Sequence, residues 1–221
     1  MFVVKMENGL PMRKIRIAIE LNGVIRNINK QILKYYQKDY DRTIDLDEAD
    51  EKDDPFKLAK FNSEHDKFNF LHVDYPFEIF GCAKPMESIL PVKFNEWLAL
   101  LSDDEECEYE VLFFSMHETS LSVQSSYFFL SKIGARVRKI LFPMSYDELA
   151  ENCDMVITSS VETINSVKDV YKVLINMTYN KGHENEADAA YDSMTSVIDL
   201  KQSFLDGIKE HLKEKTGEDD E

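Results

Sequence analysis

Residues Ile15 to Asn27 read IRIAIELNGVIRN, and this stretch constrains the fold more than any other. Its first half, IRIAIEL, is a short apolar run rich in β-branched residues. Such a run suits a strand covered on both faces, as in the parallel sheets of α/β proteins. The run ends in an acid, Glu20, followed by Asn22 and Gly23, so the strand delivers polar groups to its carboxyl end and a glycine turns the chain. In open parallel sheets, ligand sites form beyond those carboxyl ends.

The chain after about Glu110 repeats the theme. YEVLFFS (Tyr109 to Ser115) reads as a strand and TSLSVQSSYFFLSKIG as a helix stopped by Gly134, with Tyr127, Phe128 and Phe129 expected in its core. RKILFP, DMVITSS and YKVLINMTYN follow as strands, separated by the short helix YDELAENC and by a helical turn or loop in VETINSVKDV. Strands spaced by short helices imply βαβ units and a mainly parallel sheet.

The stretch from Ser196 to the end is an amphipathic helix with an acidic tail; Leu200, Phe204, Leu205, Ile208 and Leu212 form its apolar stripe. Between Asp39 and Glu110 the rhythm weakens. INKQILKYYQKDY carries helical spacing (Ile28, Ile32, Leu33, Tyr36), and DRTIDLDEADEKDDP reads as a solvated acidic loop. DPFKLAKFN is a short helix capped by Asp54, and PVKFNEWLALLSDD is a helix with Phe94, Trp97, Leu98 and Leu101 inward. The expected division is a 1–13 extension, a core of 14–30 and 109–200, an insertion over 31–108, and a helix and acidic tail over 201–221. Phe2, Val3 and Val4 of the extension suit an edge strand, an arm gripping a partner, or packing on their own domain.

Composition narrows the function classes. Hydrophobic content of 43% supports a substantial core, while the net charge of −16 opposes nonspecific nucleic-acid binding and docking on anionic lipid. Cys82, Cys107 and Cys153 lie far apart without CxxC spacing, so they read as reduced thiols in a cytosolic protein. No apolar run approaches membrane-spanning length, and MFVVKMENGLPMRK lacks a secretory signal, which makes a soluble intracellular protein the expectation.

Four local motifs, in order, resemble the haloacid dehalogenase-like (HAD) superfamily of phosphotransferases, and most closely its deoxyribonucleotidase-like branch. ELNGV resembles the first motif, aspartate-x-aspartate-glycine-hydrophobic. LFFS ending at Ser115 resembles the second, whose hydroxyl holds the transferring phosphate. CDMVITSSVETI resembles the fourth, which ordinarily ends in metal-binding acids, and KVLINMTYN followed by AAYDSMTSVIDL resembles the closing strand and tail. The resemblance implies a three-layer Rossmann-like parallel sheet with an inserted cap region.

The departures matter as much as the matches. In the family the first aspartate attacks phosphorus and the second is the general acid and base. Glu20 adds a methylene, displacing its carboxylate by roughly 1 Å, a shift that can cost on the order of 100-fold. Asn22 cannot give and recover a proton as a carboxylic acid does, and Thr158 and Ser159 stand where the family binds Mg²⁺ through acids. Asp154 and Glu162 flank that strand, and Lys139 or Arg138 offers the family's phosphate-neutralising cation.

The expectation is therefore a vestigial site of Glu20, Asn22, Ser115 and Lys139, with vestigial metal positions Glu20, Asn22, Thr158 and Ser159 and no cofactor. The chain would serve as a structural or binding subunit with protein partners in a larger assembly, cytoplasmic or within a bacteriophage virion, without direct contact to nucleic acid or membrane. The alternative is a Mg²⁺-dependent phosphatase or 5′-nucleotidase-like hydrolase of small phosphate esters; a third reading is a sensor that binds an anion without cleaving it. His65 and His72, with Asp66 and Asp74 nearby, lack a zinc spacing, and Ser115-Met116-His117-Glu118 is a poor triad because adjacent residues point apart.

Overall fold

The structure, a computed structural model, describes residues 6–7, 10–11, 13–40, 43–46, 52–103, 107–116, 118–136 and 139–216. Phe2 to Val4, His117, Arg138, residues 41–42 and 47–51 of the acidic stretch before Pro55 and the tail over 217–221 lie outside the described residues.

Six strands form one sheet: β1 (Arg13–Glu20), β2 (Cys107–Phe114), β3 (Lys139–Leu141), β4 (Met155–Thr158), β5 (Tyr171–Ile175) and β6 (Ala189–Tyr191). Their order is β6-β5-β4-β1-β2-β3, and every neighbouring pair is parallel. β1 pairs with β2 along its whole length, from Arg13 opposite Cys107 to Glu20 opposite Phe114. The chain builds outward from β1 to β3, then returns to lay β4 on the other side of β1. That reversal puts a topological switch point between β1 and β4, where the loops leave in opposite directions and open a crevice.

The helices are α1 (Asn29–Asp39), α2 (Glu64–Asn69), α3 (Leu90–Ser102), α4 (Ser120–Ile133), α5 (Tyr146–Glu151), α6 (Val161–Ser166), α7 (Met194–Asp199) and α8 (Lys201–Thr216). Alternation along the strands builds two apolar layers. Ile15, Ile17 and Ile19 join a core with residues of α3, α4, α7 and α8. Ala18, Leu112, Phe114 and Val156 meet Leu149 and Cys153 on the opposite face. The result is a three-layer, Rossmann-like α/β fold. Among the described residues no helix is long and apolar enough to cross a membrane.

Between β1 and β2 lies the long insertion. Ile32, Leu33, Tyr36, Phe70, Ile79 and Phe80 give it a small core of its own. Within it, Asp54 caps a single 3-10 turn, Pro55–Lys57, its carboxylate accepting from Phe56 N at 2.9 Å. Helix α3 falls inside the 31–108 division by sequence yet packs on the sheet. Phe94 stacks on Phe113 with ring centroids 5.3 Å apart, and Trp97 meets Phe204 edge-on at 6.0 Å.

Two expectations need correction. The C-terminal stripe is not one helix: α7 and α8 meet at Leu200, which is 55% exposed while Phe204, Leu205, Ile208 and Leu212 are buried. The Lys93 ammonium, 2.7 Å from both Asp199 oxygens, ties the end of α7 to α3. Of the three aromatics in α4, only Phe129 is buried, because consecutive helical residues point about 100° apart. Tyr127 and Phe128 lie instead against Phe142 and Phe77.

Burial predicts a graded response along α3. Trp97→Ala should cost about 3–5 kcal/mol in urea denaturation, whereas Leu100→Ala, at a position 52% exposed, should fall within about 0.5 kcal/mol of the parent chain.

Candidate functional site

Register brings the two sides of the site together. Ile19 is the pairing partner of Ile157, so the next residues, Glu20 and Thr158, emerge side by side at the switch point. The Thr158 hydroxyl donates to Glu20 Oε2 at 2.5 Å, and the Ser159 N–H donates to the same oxygen at 3.2 Å. Ser160 N–H in turn donates to Thr158 Oγ1 at 3.0 Å. Thr158 and Ser159 are buried and Glu20 is half-buried. Burial pushes the Glu20 carboxyl from 4.5 up to about 7; the hydrogen bonds from Thr158, Ser159 and Ser160 oppose the rise without cancelling it. Its proton is thus held more tightly than that of an exposed glutamate.

The turn after β1 sets the second group. Gly23 has φ +79°, and a Cβ there would collide with Ser159 Oγ and lie 3.2 Å from Tyr179 Oη, so both conformation and space require glycine. Tyr179 donates to Ser159 Oγ at 3.0 Å, and burial pushes its phenol up to about 12. Asn180, fully buried, donates to the Ser159 and Ile175 carbonyls at 2.9 and 2.8 Å and so braces the loops after β4 and β5.

Asn22 is held from both ends. Its Nδ2 donates to Ser115 Oγ at 3.3 Å, and its Oδ1 accepts from Arg26 Nε at 2.9 Å. Arg26 is fully buried. Its Nη2 donates to Glu118 Oε1 at 2.9 Å, and its Nη1 donates to Ser126 Oγ at 2.7 Å and to the Phe80 carbonyl at 3.4 Å. Ser126 donates to Glu118 Oε2 at 2.8 Å. The guanidinium lies over Phe80, 4.9 Å from the ring centroid, and near Phe129 at 5.6 Å. Sequence reasoning missed Arg26, whose only local signal is a cation inside the apolar stretch GVIRN.

The structure thus gathers Glu20, Asn22, Ser115, Thr158 and Ser159 around one crevice. Lys139 sits elsewhere. It lies opposite Leu112, two residues before the strand ends, and its ammonium reaches Asn152 Oδ1 at 3.4 Å, at the end of α5 where the chain has returned to the amino edge. Asp154 is at that edge too, held by the Arg16 guanidinium at 3.0 and 3.1 Å. Glu162 bonds Tyr146, whose phenol burial and the nearby acids Glu162 and Glu20 push up to about 12. His65 faces Asn69, while His72 stacks on Phe80 and meets Ser122 Oγ at 3.2 Å. Glu118 is committed to Arg26 and points away from any role beside Ser115.

The donor set does not fit Mg²⁺. A hard dication wants several anionic or carbonyl oxygens in octahedral array. Here Glu20 is the carboxylate of the cluster, and its Oε2 already accepts two hydrogen bonds. The Asn22 oxygen is turned to a guanidinium, and Thr158 spends its proton on Glu20. Among the described residues no three of His, Cys, Asp or Glu converge to hold an ion.

No family model matches the sequence, and no curated protein matches it. Among solved structures the chain is similar to a haloacid dehalogenase-like hydrolase of Burkholderia xenovorans LB400, at 9% identity over 87% of this chain and 99% of that one, with a TM-score of 0.46. It is similar to a HAD-superfamily hydrolase, subfamily IA, of Geobacter sulfurreducens PCA at 11% identity, over 86% and 97% of the chains, TM-score 0.49. A HAD phosphatase of Thermococcus onnurineus shares 14% identity over 87% and 98%, TM-score 0.43. At these identities and TM-scores no activity or residue role passes to this chain.

Two measurements follow from the geometry. An acid whose folded pKa exceeds its unfolded one binds its proton more tightly when folded. Glu20 therefore stabilises fully below about 4.5, and that contribution fades as pH rises through about 7. Glu20→Gln should remove a pH-dependent loss of up to about 3 kcal/mol between pH 5 and 8, read from urea midpoints. Arg26→Ala should cost about 3–5 kcal/mol by leaving Glu118 buried and unpaired, and the double variant Arg26→Met/Glu118→Leu should recover at least half of it.

Proposed function

We propose that this chain is a HAD-type protein, of the deoxyribonucleotidase-like arrangement, that has left metal-dependent phosphoryl transfer and acts as a structural or binding subunit of a larger protein assembly. The observation that carries the reading is the closed hydrogen-bond pair of Glu20 with Thr158. The carboxylate at the nucleophile's position is tied to a hydroxyl where an acidic metal ligand would stand, and burial raises its pKa above the usual carboxylate range. An attacking carboxylate needs to be ionised and free along the line of attack.

The insertion supports the same reading, because it is bonded to the core at several points. Met86 N–H donates to the Ile25 carbonyl at 2.9 Å, and the Lys132 ammonium donates to the Gly81 and Ala83 carbonyls at 3.0 and 2.7 Å. Farther round, Thr178 Oγ1 donates to the Lys52 carbonyl at 2.6 Å. A hydrolase with a covering segment must open it to admit substrate and release product. Here opening would break these bonds together with the buried Arg26 contact to Phe80.

The test is turnover of phosphate esters. With Mg²⁺, p-nitrophenyl phosphate and deoxynucleoside monophosphates should be hydrolysed no faster than in buffer alone. Glu20→Asp/Asn22→Asp should gain nothing, since Thr158 and Ser159 still supply no carboxylate. In light scattering the chain should self-associate or travel with a stoichiometric partner. Metal-dependent turnover abolished by Glu20→Gln would restore the phosphatase reading, with Ser115 holding phosphate; a monomer without any partner would remove the assembly reading.

A further inference from the structure

A chamber of about 160 Å³ lies beyond the sheet's carboxyl edge, on the β5 and β6 side of the turn carrying Gly23. Its apolar walls are Val24 after β1, Ile175 at the end of β5, Met177 just beyond it, Met86 from the insertion and Met194 after β6. Val24, Ile175, Met177 and Met194 are each no more than 5% exposed, so core residues form its floor, while Lys52, Glu87 and Asp192 stand at its open rim. An apolar floor of this kind offers a guest dispersion contacts that water does not supply. An apolar cavity of about 150 Å³ stays dry and accepts one benzene-sized ring.

The polar groups at its edge are spoken for. Glu87 accepts from the Thr195 hydroxyl and from Thr195 N–H. Asn176 Nδ2 donates to Asp192 Oδ1 at 3.2 Å, and the Lys52 ammonium donates to the Asp192 carbonyl at 2.8 Å. An anion would meet the carboxylates of Glu87 and Asp192 against a single ammonium, Lys52, already engaged with the Asp192 carbonyl, and a cation would have to displace these bonds. Three thioethers on the walls favour an aromatic guest, since methionine sulfur packs well against rings and its unbranched chain adapts to their shape.

We propose that this chamber is a binding site for a small neutral aromatic molecule of one ring. Gly23 lines the chamber as well as packing on Ser159, so the site adjoins the Glu20 crevice, but its guest needs neither Glu20 nor phosphate turnover. It takes a guest between the core and the insertion, where Lys52 and Met86 close over strand ends from which Met177 and Met194 follow.

Toluene is the probe, titrated into the full chain labelled with ¹³C at the methionine methyl groups. The methyl resonances of Met86, Met177 and Met194 should shift together and saturably, with a Kd on the order of 1 mM, as fits seven heavy atoms. Met116 and Met144, which do not line the chamber, should stay put, and benzoate should shift none of the five. Val24→Phe fills the space and should weaken toluene at least about tenfold. If that variant does not fold, Met86→Phe, at a half-buried wall position, gives the same reading. Three unmoved methyls at saturating toluene, equal shifts at Met116 and Met144, equal binding of benzoate, or undiminished binding in the folded filled variant would each overturn the proposal.

Discussion

A guanidinium cut off from water must be surrounded by acceptors, and the organisation of this molecule follows from how that demand is met for Arg26. Its donors reach Asn22 in the β1 turn, Phe80 in the insertion, Glu118 before α4 and Ser126 within α4. Removing two charges from water costs several kcal/mol per ion, and their attraction repays it only when the remaining donors and acceptors are satisfied. The pair therefore specifies an arrangement more than it adds stability. One consequence reaches the site directly: with Oδ1 facing Arg26, the Asn22 amide must present its Nδ2 to Ser115.

Beside that network, Glu20 solves a different electrostatic problem. Carboxylates at the ends of both β1 and β4 would repel unless a cation lay between them. Hydroxyls at Thr158 and Ser159 remove the repulsion, and the extra methylene of glutamate lets its carboxyl reach them. What remains is one acid in a poorly solvated crevice, whose easiest neutralisation is a proton. Glu20, Thr158 and Ser159 together make a self-consistent neutral cluster.

Much of this was legible in the sequence because it rests on short local signals. IRIAIEL announced a covered strand, Gly23 its tight turn, and the apolar runs ending at Ser115 and Thr158 placed two more groups at the same edge. The parts that were not legible depend on long-range meeting points. Glu118 and Ser126 lie 92 and 100 residues from Arg26, and a lone cation in an apolar stretch carries no sign of them. Lys139 has the right strand but the wrong height, since a position two residues short of the strand end faces the opposite edge. Leu200 fits the helical period and falls at the break between α7 and α8.

The account rests on the protonation and bonding of one carboxyl, so the most direct measurement is a ¹³C NMR titration of the Glu20 side-chain carboxyl with and without Mg²⁺. A midpoint near 7, unmoved by millimolar Mg²⁺, is the result expected for an acid held by Thr158 and Ser159. A midpoint near the ordinary value of 4.5, or one that Mg²⁺ drives downward, would contradict it and identify Glu20 as a working metal ligand.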